Sequence, residues 1–297
     1  MPRVTKAWLC RAVIVTLMIV TAILCRAYDR LAPTGTPLGF VRSFIYMGLF
    51  SWWGASVRGR VLQFQARQLL TMIACLMLFW IFVRSLKYYI VFSPNLIRWI
   101  WYSYYIPMLM IPLFFLLTAM SLGKPEHYRL PKWSAALCAI TLMMVLFVLS
   151  NDCHRLVFSF PEGKVWSDHD YHYEKLYWLI LAWEYGLALT ALGIMIARCR
   201  IHHSRKFAWL PFVPLAASVL YATLYVARFP ALFIVAGDIT SVQCLLFMAI
   251  AESCIESGLI RVNSHYKELF HASDVHAFIT DLDDHGYYDS NKLSELR

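Results

Sequence analysis

The chain has 297 residues, a mean hydropathy of +0.56, 60% hydrophobic residues and only 15% charged ones. Apolar runs of about 18 residues or more, the length needed to cross a hydrocarbon layer, decide for a bilayer over a large soluble core. The formal net charge of +9 is uneven: residues 1–260 hold 23 basic and 11 acidic side chains, residues 261–297 hold 4 and 7. The basic excess flanks apolar runs, so it belongs to membrane loops and excludes a nucleic-acid footprint.

In chain order, spans are predicted near 8–27, 38–57, 67–85, 98–121, 134–150, 174–197, 208–227 and 232–251, an all-α polytopic membrane helix bundle of eight helices. The first run is not a cleaved signal, because no small-x-small site follows and Arg11 and Arg26 bracket it. Arg42 interrupts the second run. Pro107 and Pro112 in the fourth each remove a backbone donor and can bend its outer half open.

Between the fifth and sixth spans lies "SNDCHRLVFSFPEGKVWSDHDYHY", which, with Glu174, gathers five carboxylates and three imidazoles. Only three other acidic residues precede position 238. Asn151 and Asp152 suit the end of one helix, and the later Asp residues suit the free amides that start the next. His154, Asp168, His169, Asp170 and His172 have metal-binding atoms, but their spacing matches no ligand motif, and neither metal nor cofactor is assigned. Their imidazoles can charge between about pH 5 and 8, which makes pH one candidate cue. The eight cysteines show no CxxC or Cys/His spacing and read as packing residues.

Loops on the side of the chain ends collect 13 Lys and Arg against 9 on the other side, which places both termini in the cytoplasm and the acidic loop outside. Rings crowd the outer side, among them Tyr104, Tyr105, Trp166, Tyr171, Tyr173 and Tyr177. They form either an interfacial belt or an aromatic pocket roofed by the loop. Ionisable groups inside spans need a role. Arg228 and Asp238, on adjacent antiparallel helices, are expected to form an ion pair or to serve as a ligand's counter-charge. Glu184, in the sixth span, has no sequence partner and is the best intramembrane candidate for ligand contact. No nucleophile elbow, glycine-rich phosphate loop or internal repeat is present.

After the last span, Ile255, Leu259, Val262, Tyr266 and Leu269 are spaced 4, 3, 4, 3, the seam of a parallel helical zipper or else an ordinary juxtamembrane helix. "HAFITDLDDHGYY" then reads as a strand, a turn at Asp283-Asp284-His285-Gly286 and a second strand.

The order of "LGKPEHYRLPKW", "LSNDCHRLVFSFPEG", "WSDHDYHY", "MIARCRI", "NSHYKELFHAS" and "FITDLDD" resembles the amino-terminal seven-helix membrane region of bacterial sensor histidine kinases. The resemblance implies a seven-helix sensor domain at 38–251, with an extra membrane helix and linker at 1–37 and a juxtamembrane signalling helix at 252–273. It further implies an incomplete PAS-like hairpin at 274–297, too short to bury a core of its own. A phosphoacceptor helix and an ATP-binding domain are absent from these residues, so the chain is expected to be a non-enzymatic input module of a two-component system. It would be either a truncated kinase or a stand-alone sensor in the bacterial cytoplasmic membrane. The partners expected are the lipid bilayer, a second copy of the chain, a histidine kinase or response regulator, and a small-molecule or pH cue. Asp152, His154, Asp168, His169, His172, Tyr104, Tyr105 and Glu184 are the candidate sensing residues. A membrane carrier is the alternative, and it would show flux and no need of the zipper.

Overall fold

A computed structural model describes residues 6–31, 38–124, 128–161, 170–198, 207–229, 238–260, 278–280 and 286–289. The helices are α1 (Lys6–Leu31), α2 (Leu38–Arg60), α3 (Phe64–Ser85), α4 (Pro94–Tyr102), α5 (Tyr105–Ser121), α6 (Trp133–Leu149), a single turn α7 (Asn151–His154), α8 (Lys175–Arg198), α9 (Phe212–Val226) and α10 (Ile239–Glu256). A two-residue hairpin pairs β1 (Phe158–Ser159) with β2 (His172–Tyr173). Near the carboxyl end β3 (Phe278–Thr280) pairs antiparallel with β4 (Gly286–Asp289), as the turn sequence predicts. The chain is a helix bundle whose stretches Cys10–Asp29, Phe64–Ile90, Pro94–Ser121, Lys175–Arg198 and Ile239–Glu256 are each long and apolar enough to cross a bilayer; α6 and α9 are shorter apolar helices.

The described elements form where the apolar runs lie, with differences from the sequence reading in the fourth and last spans. The fourth span is broken: α4 ends at Tyr102 and α5 begins at Tyr105. Pro107 is the cause, since its ring would strike the carbonyl four residues back, that of Ser103, and it offers no N–H to that carbonyl. The last helix is described from Ile239, directly after Asp238, and residues 232–237 of the predicted span lie outside the described residues. Its far end stops at Glu256, where Gly258 takes the left-handed conformation (φ 75°) and the Ile260 N–H closes back on the Cys254 carbonyl at 3.0 Å. The continuous helix expected from 255 to 269 is therefore interrupted. Ile255 and Leu259 are buried in the chain's own core; Val262, Tyr266 and Leu269 lie outside the described residues.

Helix α5 is the centre of the bundle, packed against α3, α6 and α8, while α2 lies between α1 and α3, and α9 pairs with α10. Close approach of α2 and α3 needs Gly54, because a Cβ there would sit 2.8 Å from the Ala74 Cβ. Helix α1 is peripheral and leaves Leu17 and Leu24 exposed, the side chains a hydrocarbon solvent accepts.

Polar side chains lock both ends. At the tail end, Arg198 donates to the carbonyls of Ala119 and Met120 (3.1 and 2.6 Å), satisfying the free end of α5; Gln63 does the same for Ser121 at 2.6 Å. There too Glu252 of α10 pairs with Arg60 of α2 and accepts from Trp53 Nε1 at 2.7 Å. At the opposite end, which carries the acidic loop, the Asp238 carboxylate holds Arg84 Nε at 2.9 Å and Arg42 Nη2 at 3.3 Å, and accepts from the Ser241 hydroxyl at 2.7 Å. These two guanidinium partners come from α3 and α2, both distant from Asp238 in sequence. Arg228 turns out of α9 at φ 54°.

Candidate functional site: an aromatic cavity around Glu184

The break between α4 and α5 turns Trp101, Tyr104 and Tyr105 toward one another's neighbourhood at the loop end of the bundle. The acidic loop closes over them by a mechanism centred on Asn151, which is wholly buried. Its side-chain oxygen accepts from the N–H groups of Val157 and Phe158, both at 3.0 Å, and its amide donates to the Phe158 carbonyl at 2.9 Å. That fixes β1, and with it the fully buried Phe158 ring, 4.7 Å between centroids from Trp101 and 5.5 Å from Tyr105. β2 then pairs Tyr173 opposite Phe158, and the Tyr171 and Tyr173 hydroxyls meet at 3.1 Å. Burial pushes both of these phenols up from their ordinary value, so neither ring carries a charge at neutral pH.

Beneath the roof is a cavity of about 70 Å³. Tyr177, Glu184 and Tyr185 of α8 line it, with Trp80 of α3, Tyr225 of α9 and Gln243 of α10. On that measure it holds several waters or one small chemical group, each water needing about 10–15 Å³. Its floor is tied to two helices: the Ser218 hydroxyl donates to Gln243 Oε1 at 2.6 Å, and the Tyr185 hydroxyl donates to the Ser218 carbonyl at 3.3 Å.

Glu184 stands apart from the other carboxylates of the bundle. It is 3% exposed, and its Oε2 has no hydrogen-bond partner among the described residues. Trp80 Nε1, on the same cavity, is a buried donor in the same position. By contrast Asp152 accepts from the Tyr102 hydroxyl at 2.6 Å and pairs with Arg98 at 3.0 Å, and Glu174 accepts from the Ser159 hydroxyl at 2.6 Å. A buried carboxyl without a partner is costly to keep charged, which sets Glu184 apart from the paired carboxylates of the bundle.

Of the residues singled out from sequence, the structure brings Tyr104, Tyr105 and Glu184 to one cavity. Asp152 and His154 serve the loop's framework. The Leu156 N–H donates to His154 Nδ1 at 3.0 Å, so Nε2 carries the hydrogen and donates to the Phe147 carbonyl at 3.0 Å, finishing the end of α6. His172 is exposed on β2, and Asp168 and His169 lie outside the described residues. Asp170 is exposed ahead of β2, and α8 starts directly after Glu174, so Asp170 does not cap it. Among the described residues, no three His, Cys, Asp or Glu side chains are gathered as a metal site would need. Trp80 and Gln243 were missed: a Trp in an apolar run carries no signal, whereas a lone amide one turn into α10 does.

The family model describing the N-terminal 7TM region of histidine kinase matches residues 37–254, which begins at the start of α2 and runs almost to the end of α10. Searches of curated proteins and of solved structures give no match. Among the described residues the match covers seven helical segments longer than a single turn when α4 and α5 count as one, with α1 standing before them. The cavity lies wholly inside that match, and the chain belongs to the family of histidine kinase N-terminal seven-helix membrane regions.

Proposed function

We propose that this multi-pass membrane protein is the input module of a two-component system and that its cue is a small molecule received in the cavity around Glu184. The observation that carries the reading is a buried carboxylate oxygen without a partner on the wall of an aromatic cavity, in a chain whose other core carboxylate, Asp238, is fully engaged. The excess of basic residues on the tail side supports a cytoplasmic tail and an outward-facing loop in a bacterial cytoplasmic membrane. Helix α10 supplies the route inward. Ile239 and Gln243 line the cavity, and the same helix ends in the Glu252 latch to Arg60 and Trp53, so a shift at one end is felt at the other. Beyond residue 260, Val262, Tyr266 and Leu269 would carry dimerisation. The kinase activity itself would come from segments or partners other than the bundle.

Vesicle reconstitution of the whole chain separates this reading from a carrier. A Val262→Cys variant is expected to form a disulfide-linked dimer under mild oxidation, with no accumulation of small cations, anions or neutral solutes above protein-free vesicles. Solute accumulation together with an uncrosslinked monomer would contradict it.

A further inference from the structure

The cavity's chemistry also bears on what enters it, and this step rests on the reading above. Among the described residues lining the space, Glu184 is the one carboxyl group, and no Lys, Arg or His lines it. An anion therefore finds no counter-charge there. A neutral donor could make one hydrogen bond to Oε2, but only a cation offsets the cost of an ionised carboxylate in a low-dielectric surround.

The other walls favour positive charge as well. Trp101, Tyr104, Tyr105, Tyr171 and Tyr177 enclose the same space, and the faces of such rings carry the negative lobe of a quadrupole. One of these rings, Tyr104, already has an ammonium near it outside the lining, Lys87 Nζ at 5.6 Å from the ring centroid, so such a ring is shown to accept a cation. The cage is tied shut from several sides. Tyr173 and Tyr177 centroids are 4.1 Å apart, and Trp101 and Tyr171 centroids 5.0 Å. A cavity of about 70 Å³ limits the guest to a head group rather than a whole lipid or peptide.

We infer that the cavity binds a small organic cation, an amine or quaternary ammonium group, held by the Glu184 carboxylate and caged by the surrounding rings. The positive charge of the guest meets the buried carboxylate, and its alkyl surface meets the aromatic walls.

The test uses the full chain in lipid nanodiscs, titrated with choline and with the neutral alcohol in which carbon replaces the ammonium nitrogen, binding being followed by tryptophan fluorescence and calorimetry. Choline is expected to bind saturably, the neutral alcohol at least about tenfold more weakly, and Glu184→Gln to remove that preference. Ala222→Leu, which fills the cavity from α9, is expected to remove both. If the two probes bind alike, are lost in Ala222→Leu and are indifferent to Glu184→Gln, the cavity stands as the site and the cationic class is overturned. Choline binding that survives both substitutions overturns site and class together. No saturable binding of choline up to about 10 mM overturns the class.

Discussion

Asp238 and Glu184 are the carboxylates enclosed near the loop end of the bundle, among the described residues, and their surroundings differ sharply. Asp238 is held by two guanidiniums and a hydroxyl, so removing its charge leaves Arg42 and Arg84 facing one another without an anion. Asp238→Asn is therefore expected to destabilise the bundle by about 3–5 kcal/mol. The Arg60–Glu252 pair has side chains 21% and 29% exposed, so Glu252→Gln is expected to cost under about 1 kcal/mol. Thermal unfolding of the two variants in one detergent compares them, and equal losses would refute the distinction. Glu184 was legible in the sequence because a carboxylate in an apolar span has few bland explanations. The partners of Asp238 were not legible, since Arg84 and Arg42 are distant in sequence and only the packing of α2, α3 and α10 brings them together.

The loop works as an element because one side chain replaces the backbone bonds that a longer hairpin would supply. Asn151 satisfies two N–H groups and a carbonyl within β1 and its approach, and it also donates to the Tyr102 hydroxyl at 3.3 Å. Asn151→Ala is expected to cost about 3 kcal/mol, by orphaning buried backbone groups, and to raise amide exchange from Val157 to Tyr173. Exchange rates unchanged over that segment would count against Asn151 as the loop's anchor. The apolar runs placed the long helices among the described residues to within a few residues at most ends, because about 15 to 20 consecutive apolar residues admit little else. They did not give the two-residue hairpin, which is too short for a pattern. Nor did they give the break at Ser103-Tyr104, whose cause, Pro107, was visible while its position was not. The zipper spacing misled at its start for a different reason: Ile255 and Leu259 keep the apolar period but spend it on the chain's own core, and Gly258 ends the helix between them.

At the scale of the molecule, the bundle is clamped at both ends and hollow near one of them. The tail-end locks of Arg198, Gln63 and Glu252 hold α2, α5, α8 and α10 in register, while the loop end encloses a cavity touched by α3, α5, α8, α9 and α10. Filling such a space draws several helices together at once, which is the property an input module needs in order to bias a distant tail. Membership of the histidine kinase seven-helix family agrees with that design. The most direct measurement is the transcript profile of host cells in which Glu184→Gln replaces the natural chain at equal membrane abundance, set beside wild type and a deletion. The account predicts a profile that has lost the wild-type response and resembles the deletion, because the variant keeps the fold while removing the charge that meets the cue. A wild-type profile from cells carrying Glu184→Gln at normal abundance would contradict the claim that this cavity is where the cue is received.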